Sequence, residues 1–468
     1  EINNYAKEIS QLNKAIGEVE SDGVDHANDL RDRRGYLELQ LAELTGATVL
    51  EGQLYNGSGF KGEEQYNSSL NENNQASYTI QISGFNIVDG STYHPVEITS
   101  GANQLDFHEL YYELQNGNEI PMEDEIIGGK LGAVLDIRGR RPDIETGIPS
   151  DGELQNVINE LDTFSKGMIE ATNNVYASSA TNLMQSNMLT LEDDTPLVLG
   201  DYNVDKGSFS LVVYDIDGKE VTSRDININE TTSLSVSTDL FVNSDGTTVG
   251  NSIKEQIAAI IDDNGDNDTT NDINSYLTST YSSGEFAISM DSVKESQGYT
   301  FALVDNSPTG INTGTNFAGA LGMSRYFDGN SAKDMDLNSQ LKDDPTKIQA
   351  YSVDVDGNND VALQMVQMQF EDVNFEAIGY GDRVSTTVYD YFDKITTGVG
   401  SRTNAAIVTD DTVTAHYMAA QKEYESVSGV SIDEELTNLI KYQTAYGAAA
   451  KVITTVDQMM TTLLGIKN

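Results

Sequence analysis

Ser431-Ile432-Asp433-Glu434-Glu435-Leu436-Thr437-Asn438-Leu439-Ile440-Lys441-Tyr442 opens the last helical run of the chain. Ser431 and Glu434 stand at capping-box spacing: the hydroxyl can accept from the N3 amide while the carboxylate reaches back to the N-cap amide. Acidic Asp433, Glu434 and Glu435 then fill the first turn, where the helix dipole favours negative charge. Beyond this start, Ile432, Leu436, Leu439, Tyr442, Tyr446, Ala449, Ile453, Val456, Met460 and Leu463 follow steps of four and three, with one 3+3 stutter at Leu436, Leu439 and Tyr442. That spacing is nearly a coiled-coil seam. Gly447 and the alanines between Ala445 and Ala450 keep the side chains narrow where a second helix could approach. A lone helix with such a seam exposes a large apolar stripe, so the spacing predicts a helix from Ser431 to about Leu464 that is covered by another helix.

Working back from that helix, the first segment sets Ile2, Tyr5, Ile9, Leu12 and Ile16 along one helical face. Ser21-Asp22-Gly23 interrupts it, and Asp25 or Asn28 is the expected cap of a second helix carrying Leu30, Leu37, Leu41 and Leu44. From Gly46 to Ser150 the texture changes to strands and turns, as in Tyr78-Thr79-Ile80-Gln81-Ile82 with Ser83-Gly84 and, later, Asp89-Gly90. Helical period returns at Leu154, Val157, Ile158, Leu161, Phe164, Met168 and Val175. A longer strand-rich excursion follows from Leu197 to Gln369. It holds a hairpin at Phe209 to Tyr214 with its turn at Asp217-Gly218, one short helix over Ile253–Ile261, and a polar loop from Asp262 to Asp272. Helical pattern resumes near Val384.

These readings give an α+β multidomain chain: an elongated, discontinuous helical domain with two β-rich inserted modules and a C-terminal coiled-coil-like helix. The expected divisions are 1–45 (helical, first part), 46–150 (β-rich), 151–196 (helical, second part), 197–380 (β-rich insertion, one or two modules), 381–430 (helical, last part) and 431–468 (terminal assembly helix).

The 468 residues carry 75 acidic against 27 basic side chains, a formal charge of −48. A surface of that sign repels nucleic-acid phosphates and anionic lipid, which excludes both as expected partners. There is no Cys, so disulfides, zinc thiolates and thiol nucleophiles are absent. No run approaches the roughly 18 apolar residues of a membrane helix. The chain opens at Glu1 inside a helical pattern, with neither Met nor a signal-type leader, and is expected to lack its native N-terminus.

Catalytic signatures are likewise missing from the sequence. His26, His94, His108 and His416 stand singly, without ligand spacing. No GxSxG, Walker or dinucleotide fingerprint occurs. The expectation is no enzyme, no cofactor and no metal. Asp262-Asp263-Asn264-Gly265-Asp266-Asn267-Asp268 and Asp354-Val355-Asp356-Gly357-Asn358-Asn359-Asp360 offer hard oxygen ligands of the kind calcium uses, but neither keeps the EF-hand register. Solvated turns are the expected state of both loops.

Several blocks resemble the family of flagellar hook-associated proteins. Ser428-Gly429-Val430-Ser431-Ile432-Asp433-Glu434-Glu435, followed by Asn438-Leu439-Ile440-Lys441-Tyr442-Gln443, is similar to the C-terminus of axial flagellar proteins generally. Four upstream blocks, in family order, resemble the member that joins hook to filament. They are Gln11 to Ile16 with Ala27 to Arg34, Phe85 to Gly90, Gly128 to Arg138, and Leu321 to Phe327 continuing through Ala332-Lys333-Asp334 to Asp344-Pro345-Thr346-Lys347-Ile348. The stretch from Leu197 to Asn306 matches weakly. The resemblance implies a structural protein that leaves the cell unfolded through the flagellar type III channel and assembles with itself as a ring on the finished hook. It further implies hook protein, the second junction protein and an export chaperone at the C-terminal helix as partners, and an extracellular site at the hook-filament junction. Another axial protein, such as the second junction protein or flagellin, and a non-flagellar β-module adhesin are the alternatives.

Overall fold

The computed structural model describes residues 1–468 apart from 23–25, 51–77, 101–107, 115–116, 141–148, 150, 200–201, 244–245, 307–313, 377–382, 429–430 and 466–468. The chain divides into two compact units, Glu1–Ile395 and Thr396–Asn468. The first is α+β.

Helix α1 (Ile2–Val19) buries Ala6, Ile9 and Ile16, with Ile2, Tyr5 and Leu12 partly covered, which is the face read from the three- and four-residue steps. Helix α2 (Asn28–Thr45) packs beside it through Leu37 and Leu41. Its start differs from the expected one. Asn28 is the first helical residue and not a cap, and Asp25 lies outside the described residues. The Glu20 carboxylate accepts from Ala27 N at 3.0 Å and binds the Arg31 guanidinium at 2.6 and 2.8 Å, so the end of α1 caps α2. Arg31 holds the Glu20 carboxyl well below the ordinary carboxylate range, down to about 2, against the opposing effect of burial.

The strands after α2 share one core with both helices. A four-stranded antiparallel sheet holds β1 (Thr48–Leu50), β2 (Thr79–Ile82), β3 (Phe85–Asp89) and β4 (Thr92–Tyr93). Ser83-Gly84 makes the two-residue turn between β2 and β3, both residues at positive φ, as read from the sequence. Ile80, Ile82, Ile87 and Val88 face Ile9 and Leu41. Strands β5 (Val96–Ser100), β6 (His108–Glu113) and β7 (Glu119–Pro121) form a second sheet. Asn3 on α1 completes β5 at Val96, donating to its carbonyl at 2.9 Å and accepting from its amide at 2.8 Å. The chain returns through α3 (Gly129–Arg138), and there Gly46 and Gly128 touch backbone to backbone. A Cβ on Gly46 would lie 2.7 Å from Gly128 Cα, so no larger residue fits.

Helix α4 (Glu153–Ala177) leaves this region and enters the second one. Its C-terminal half is buried with its polar residues. Asn173 Oδ1 accepts from Tyr326 N at 2.8 Å and Phe327 N at 3.0 Å, and Asn174 Oδ1 from Gly319 N at 2.6 Å. Asn316, itself left-handed at φ +54, donates to Glu170 Oε2 at 2.8 Å. These bonds latch residues 316–327 onto the helix.

Around that latch lie β8 (Leu183–Gln185), β9 (Gly207–Tyr214), β10 (Glu220–Ile228), β11 (Leu240–Val242), β12 (Thr248–Gly250), β13 (Leu277–Ser282), β14 (Glu285–Met290) and β15 (Thr300–Asp305). They form sheets in the orders β10-β9-β15 and β13-β14-β8, and the hairpin β11-β12. The Asp217-Gly218 turn joins β9 to β10 as expected. Phe209, Phe286, Phe301 and Phe317 centre the core, Phe209 stacking on Phe317 at 4.6 Å. The short helix α5 (Ile253–Ala258) begins at a Ser252–Glu255 capping box and stops before the expected Ile261. Arg224 Nη1 collects the carbonyls of Gln256, Ile257 and Ala259 at 2.9–3.0 Å, ending the helix there.

The chain then returns to α4. Val384–Thr386, read as the resumption of helix, is instead a strand paired with Val373–Phe375. Its β-branched residues suit the half-covered pleat better than a helix. The following helix, α6 (Val388–Ser428), packs Tyr391 and Ile395 against Phe164, Ala171 and Phe375.

Candidate assembly surface

Helix α7 (Ile432–Gly465) starts where the sequence reading places it. Ser431 Oγ accepts from Glu434 N at 3.4 Å and Ser431 O from Glu435 N at 2.9 Å, with Asp433, Glu434 and Glu435 in the first turn. Gly429 and Val430 lie outside the described residues.

Every seam residue of α7 stands uncovered in the single chain. Exposure runs from 52% at Leu436 to 82% at Ile432, with Leu439, Tyr442, Tyr446, Ile453, Val456, Met460 and Leu463 between them, and Ala449 is exposed as well. A seam that recurs every seven residues drifts by ~20° per heptad around a straight helix. A partner helix meeting the eight residues from Leu439 to Leu463 must therefore wind around α7 in a left-handed supercoil, and the two three-residue steps at Leu436–Leu439–Tyr442 shift the heptad phase near its start. At Gly447 nothing lies within 4 Å of a would-be Cβ, so the narrow Ala-rich stretch is open.

The threonine hydroxyls on α7 are satisfied within the helix itself. Thr437, Thr444, Thr455, Thr461 and Thr462 donate to the carbonyls of Asp433, Ile440, Lys451, Asp457 and Gln458 at 2.7–2.9 Å. Hydroxyls satisfied on their own helix can enter an apolar contact without leaving an orphaned donor.

Sequence reasoning missed a second stripe, on α6. Val399, Ala406, Val413 and Ala420 recur every seventh residue, joined by Tyr417 and Tyr424, and all six are exposed. The seven-residue spacing was the available signal. Alanines at two of the positions thinned it, although the helix start itself was marked by Thr387, whose Oγ1 accepts from Asp390 N at 3.1 Å.

No group of three or more His, Asp or Glu that could hold a metal occurs among the described residues. In the two acidic loops the oxygens are engaged by the chain itself. Asp262 accepts from the amides of Gly265, Asp266 and Asn267, and Asp360 from Ser352 N and Val361 N. His94 rests against Tyr112 at 5.7 Å, while His26, His108 and His416 are exposed on separate elements. No helix among the described residues is long and apolar enough to cross a membrane.

Residues 1–182, which hold α1 to α4 and the first core, match the family model of the flagellar hook-associated protein FlgK helical domain. By these residues the chain is similar to the flagellar hook-associated protein FlgK. Residues 418–466, which hold α7, match a second model, the C-terminal region of the FlgEFG basal-body rod proteins. Flagellar hook-associated protein 1 of Salmonella typhimurium is 24% identical over 472 aligned residues, which cover 100% of this chain and 70% of that protein. The Salmonella typhi protein matches to the same extent. The solved flagellar hook junction protein FlgK of Burkholderia pseudomallei aligns with a TM-score of 0.40 at 12% identity, covering 92% of this chain and 82% of its own. The FlgK helical-domain match and the rod-protein match thus fall on the two ends of the chain, with the strand-rich region between them.

Proposed function

We propose that this chain is a structural subunit of the flagellar axis that joins hook to filament and works by assembly rather than by catalysis. The observation that carries the reading is α7: a helix in the segment matched by rod proteins, with its whole apolar seam uncovered and its hydroxyls already satisfied. Apolar surface on this scale gains its stabilisation only when a second helix removes it from water. The occupants proposed are neighbouring copies in a ring on the hook, flanked by hook protein on one side and the second junction protein on the other. Before assembly an export chaperone would cover the same residues, and the finished ring would lie outside the cell.

The test is deletion of the gene in its own bacterium. Cells should complete hooks but release flagellin into the medium, and the intact gene should restore filaments whereas a copy ending at Ser428 should not. Filaments on the deletion strain would reject the junction role. A second reading, another axial protein, draws on the same terminal match to rod proteins. Deletion strains arrested before the hook is complete would favour it.

A further inference from the structure

The loop after α5 contains an arrangement that neither the fold nor the assembly surface uses. Asp262 folds its carboxylate over the turn that follows, Oδ1 accepting from Gly265 N at 2.8 Å and Asp266 N at 3.1 Å, and Oδ2 from Asn267 N at 2.8 Å. In the same turn Asn264 Oδ1 accepts from Asp266 N at 3.1 Å. Asn264 and Gly265 are both exposed, Gly265 sits at φ +75, and nothing lies within 4 Å of the position a Cβ would take there.

Attack of a backbone nitrogen on the preceding side-chain amide needs three things. A base must receive the proton of the nitrogen, a donor must steady the charge that grows on the amide oxygen, and no side chain may block the approach. Here the Gly265 N–H points at a carboxylate, the Asn264 carbonyl already holds a backbone N–H, and the attacking residue is glycine. We infer that Asn264-Gly265 is a self-modification site, at which Asp262 and the Asp266 amide promote ring closure to a succinimide.

The Gly265 proton passes to Asp262 Oδ1 as Gly265 N bonds to Asn264 Cγ. Negative charge collects on Asn264 Oδ1 beside the Asp266 N–H. Collapse breaks the Cγ–Nδ2 bond, Nδ2 takes the proton back from Asp262, and ammonia leaves. Water then opens the ring at either carbonyl, giving aspartate or isoaspartate at position 264 without any change of oxidation state. Isoaspartate inserts a methylene into the backbone inside the three-amide clamp of Asp262, so the modified loop cannot keep all three bonds. The neighbouring residue, Asp263, is the partner of buried Arg224, which ties this loop to the second core.

The experiment incubates the purified full chain at neutral pH and follows Asn264 by peptide mass and by isoaspartyl methyltransferase labelling, in parallel with the same chain in denaturant. Conversion at Asn264 should be at least as fast in the folded chain as in the denatured one. Asp262→Asn keeps an oxygen for the Gly265 and Asp266 amides, gives up the Asn267 bond and removes the base, and should slow conversion in the folded chain by roughly tenfold or more. Slower conversion in the folded wild type than in denaturant overturns the inference whatever the variant does. So does an Asp262→Asn chain, folded by its melting curve, that converts at the wild-type rate.

Discussion

Arg224 and Asp263 form an ion pair that is buried on both sides, Nη2 to Oδ2 at 2.7 Å and Nε to Oδ1 at 2.8 Å, with about 6% and 5% of the two side chains exposed. The geometry is the two-pronged one that matches a guanidinium to a carboxylate. The remaining arginine nitrogen ends α5 by collecting three carbonyls, and Asp263 Oδ2 also accepts from Ile273 N at 2.9 Å. One pair therefore fixes a helix end, the base of an acidic loop and the start of the next element.

Removing either partner should cost more than any surface pair in the molecule. Arg224→Ala leaves Asp263 charged, buried and unpaired, and also orphans three carbonyls, a change of about 3–5 kcal/mol. In urea denaturation the variant should lose that much, and Arg224→Lys should recover little because an ammonium cannot span both oxygens and three carbonyls. A loss below about 1 kcal/mol would show that water reaches the pair.

Glu20 gives a pH-dependent counterpart. Its folded carboxyl lies near 2, below its ordinary value of 4.5, chiefly through Arg31. A depressed carboxylate stabilises the fold above its unfolded value, and that contribution is lost as pH falls from about 4.5 towards 2. Glu20→Gln should therefore cost on the order of 2 kcal/mol at neutral pH, after allowance for the partial exposure of Arg31. The gap between variant and wild type should close as the buffer is taken to pH 3 and below. A gap independent of pH would mean that Glu20 acts by packing alone.

What the sequence revealed, and what it hid, follows from where side chains carry a period. The α1 face, the Ser83-Gly84 and Asp217-Gly218 turns and the Ser431 start were legible because apolar spacing or a turn residue sits in a short window. The latch on α4 was not. No apolar period marks Asn173, Asn174 and Glu170, and they are buried because residues 316–327 bring them unpaired backbone and amide groups from far along the chain. The cap of α2 was missed for the same reason, since Glu20 reaches it across the gap between helices. Of the candidate assembly surface, the α7 seam was legible from its steps, while the sparser stripe on α6 was not.

Charge of −48 on one chain implies self-repulsion that the few basic residues cannot neutralise. Salt shortens the reach of that repulsion from ~30 Å at 0.01 M to ~3 Å at 1 M. The melting temperature should therefore rise by several degrees between these extremes of sodium chloride, and monomer compactness should rise with it. A melting temperature that stays flat or falls would mean that the acidic residues are spread widely enough for their repulsion to be negligible.

The seam makes a prediction that separates assembly from folding. Leu439 and Ile453 are 53% and 69% exposed in the single chain, so Leu439→Asp and Ile453→Asp remove no contact from it and should leave its melting curve unchanged. In the assembled axis the same carboxylates would be buried without a partner, at a cost of several kcal/mol each. Such a cost is worth ~10³-fold or more in association. Asp217→Lys, on an exposed turn of the second region, should leave assembly intact. Hydrogen exchange supplies the independent measure: amides of Ile432–Gly465 should exchange rapidly in the monomer, where nothing covers the helix, and become protected on assembly. Protection already present in the monomer, or assembly of either seam variant at the wild-type rate, would remove α7 as the assembly surface and leave the α6 stripe as the surface to test next.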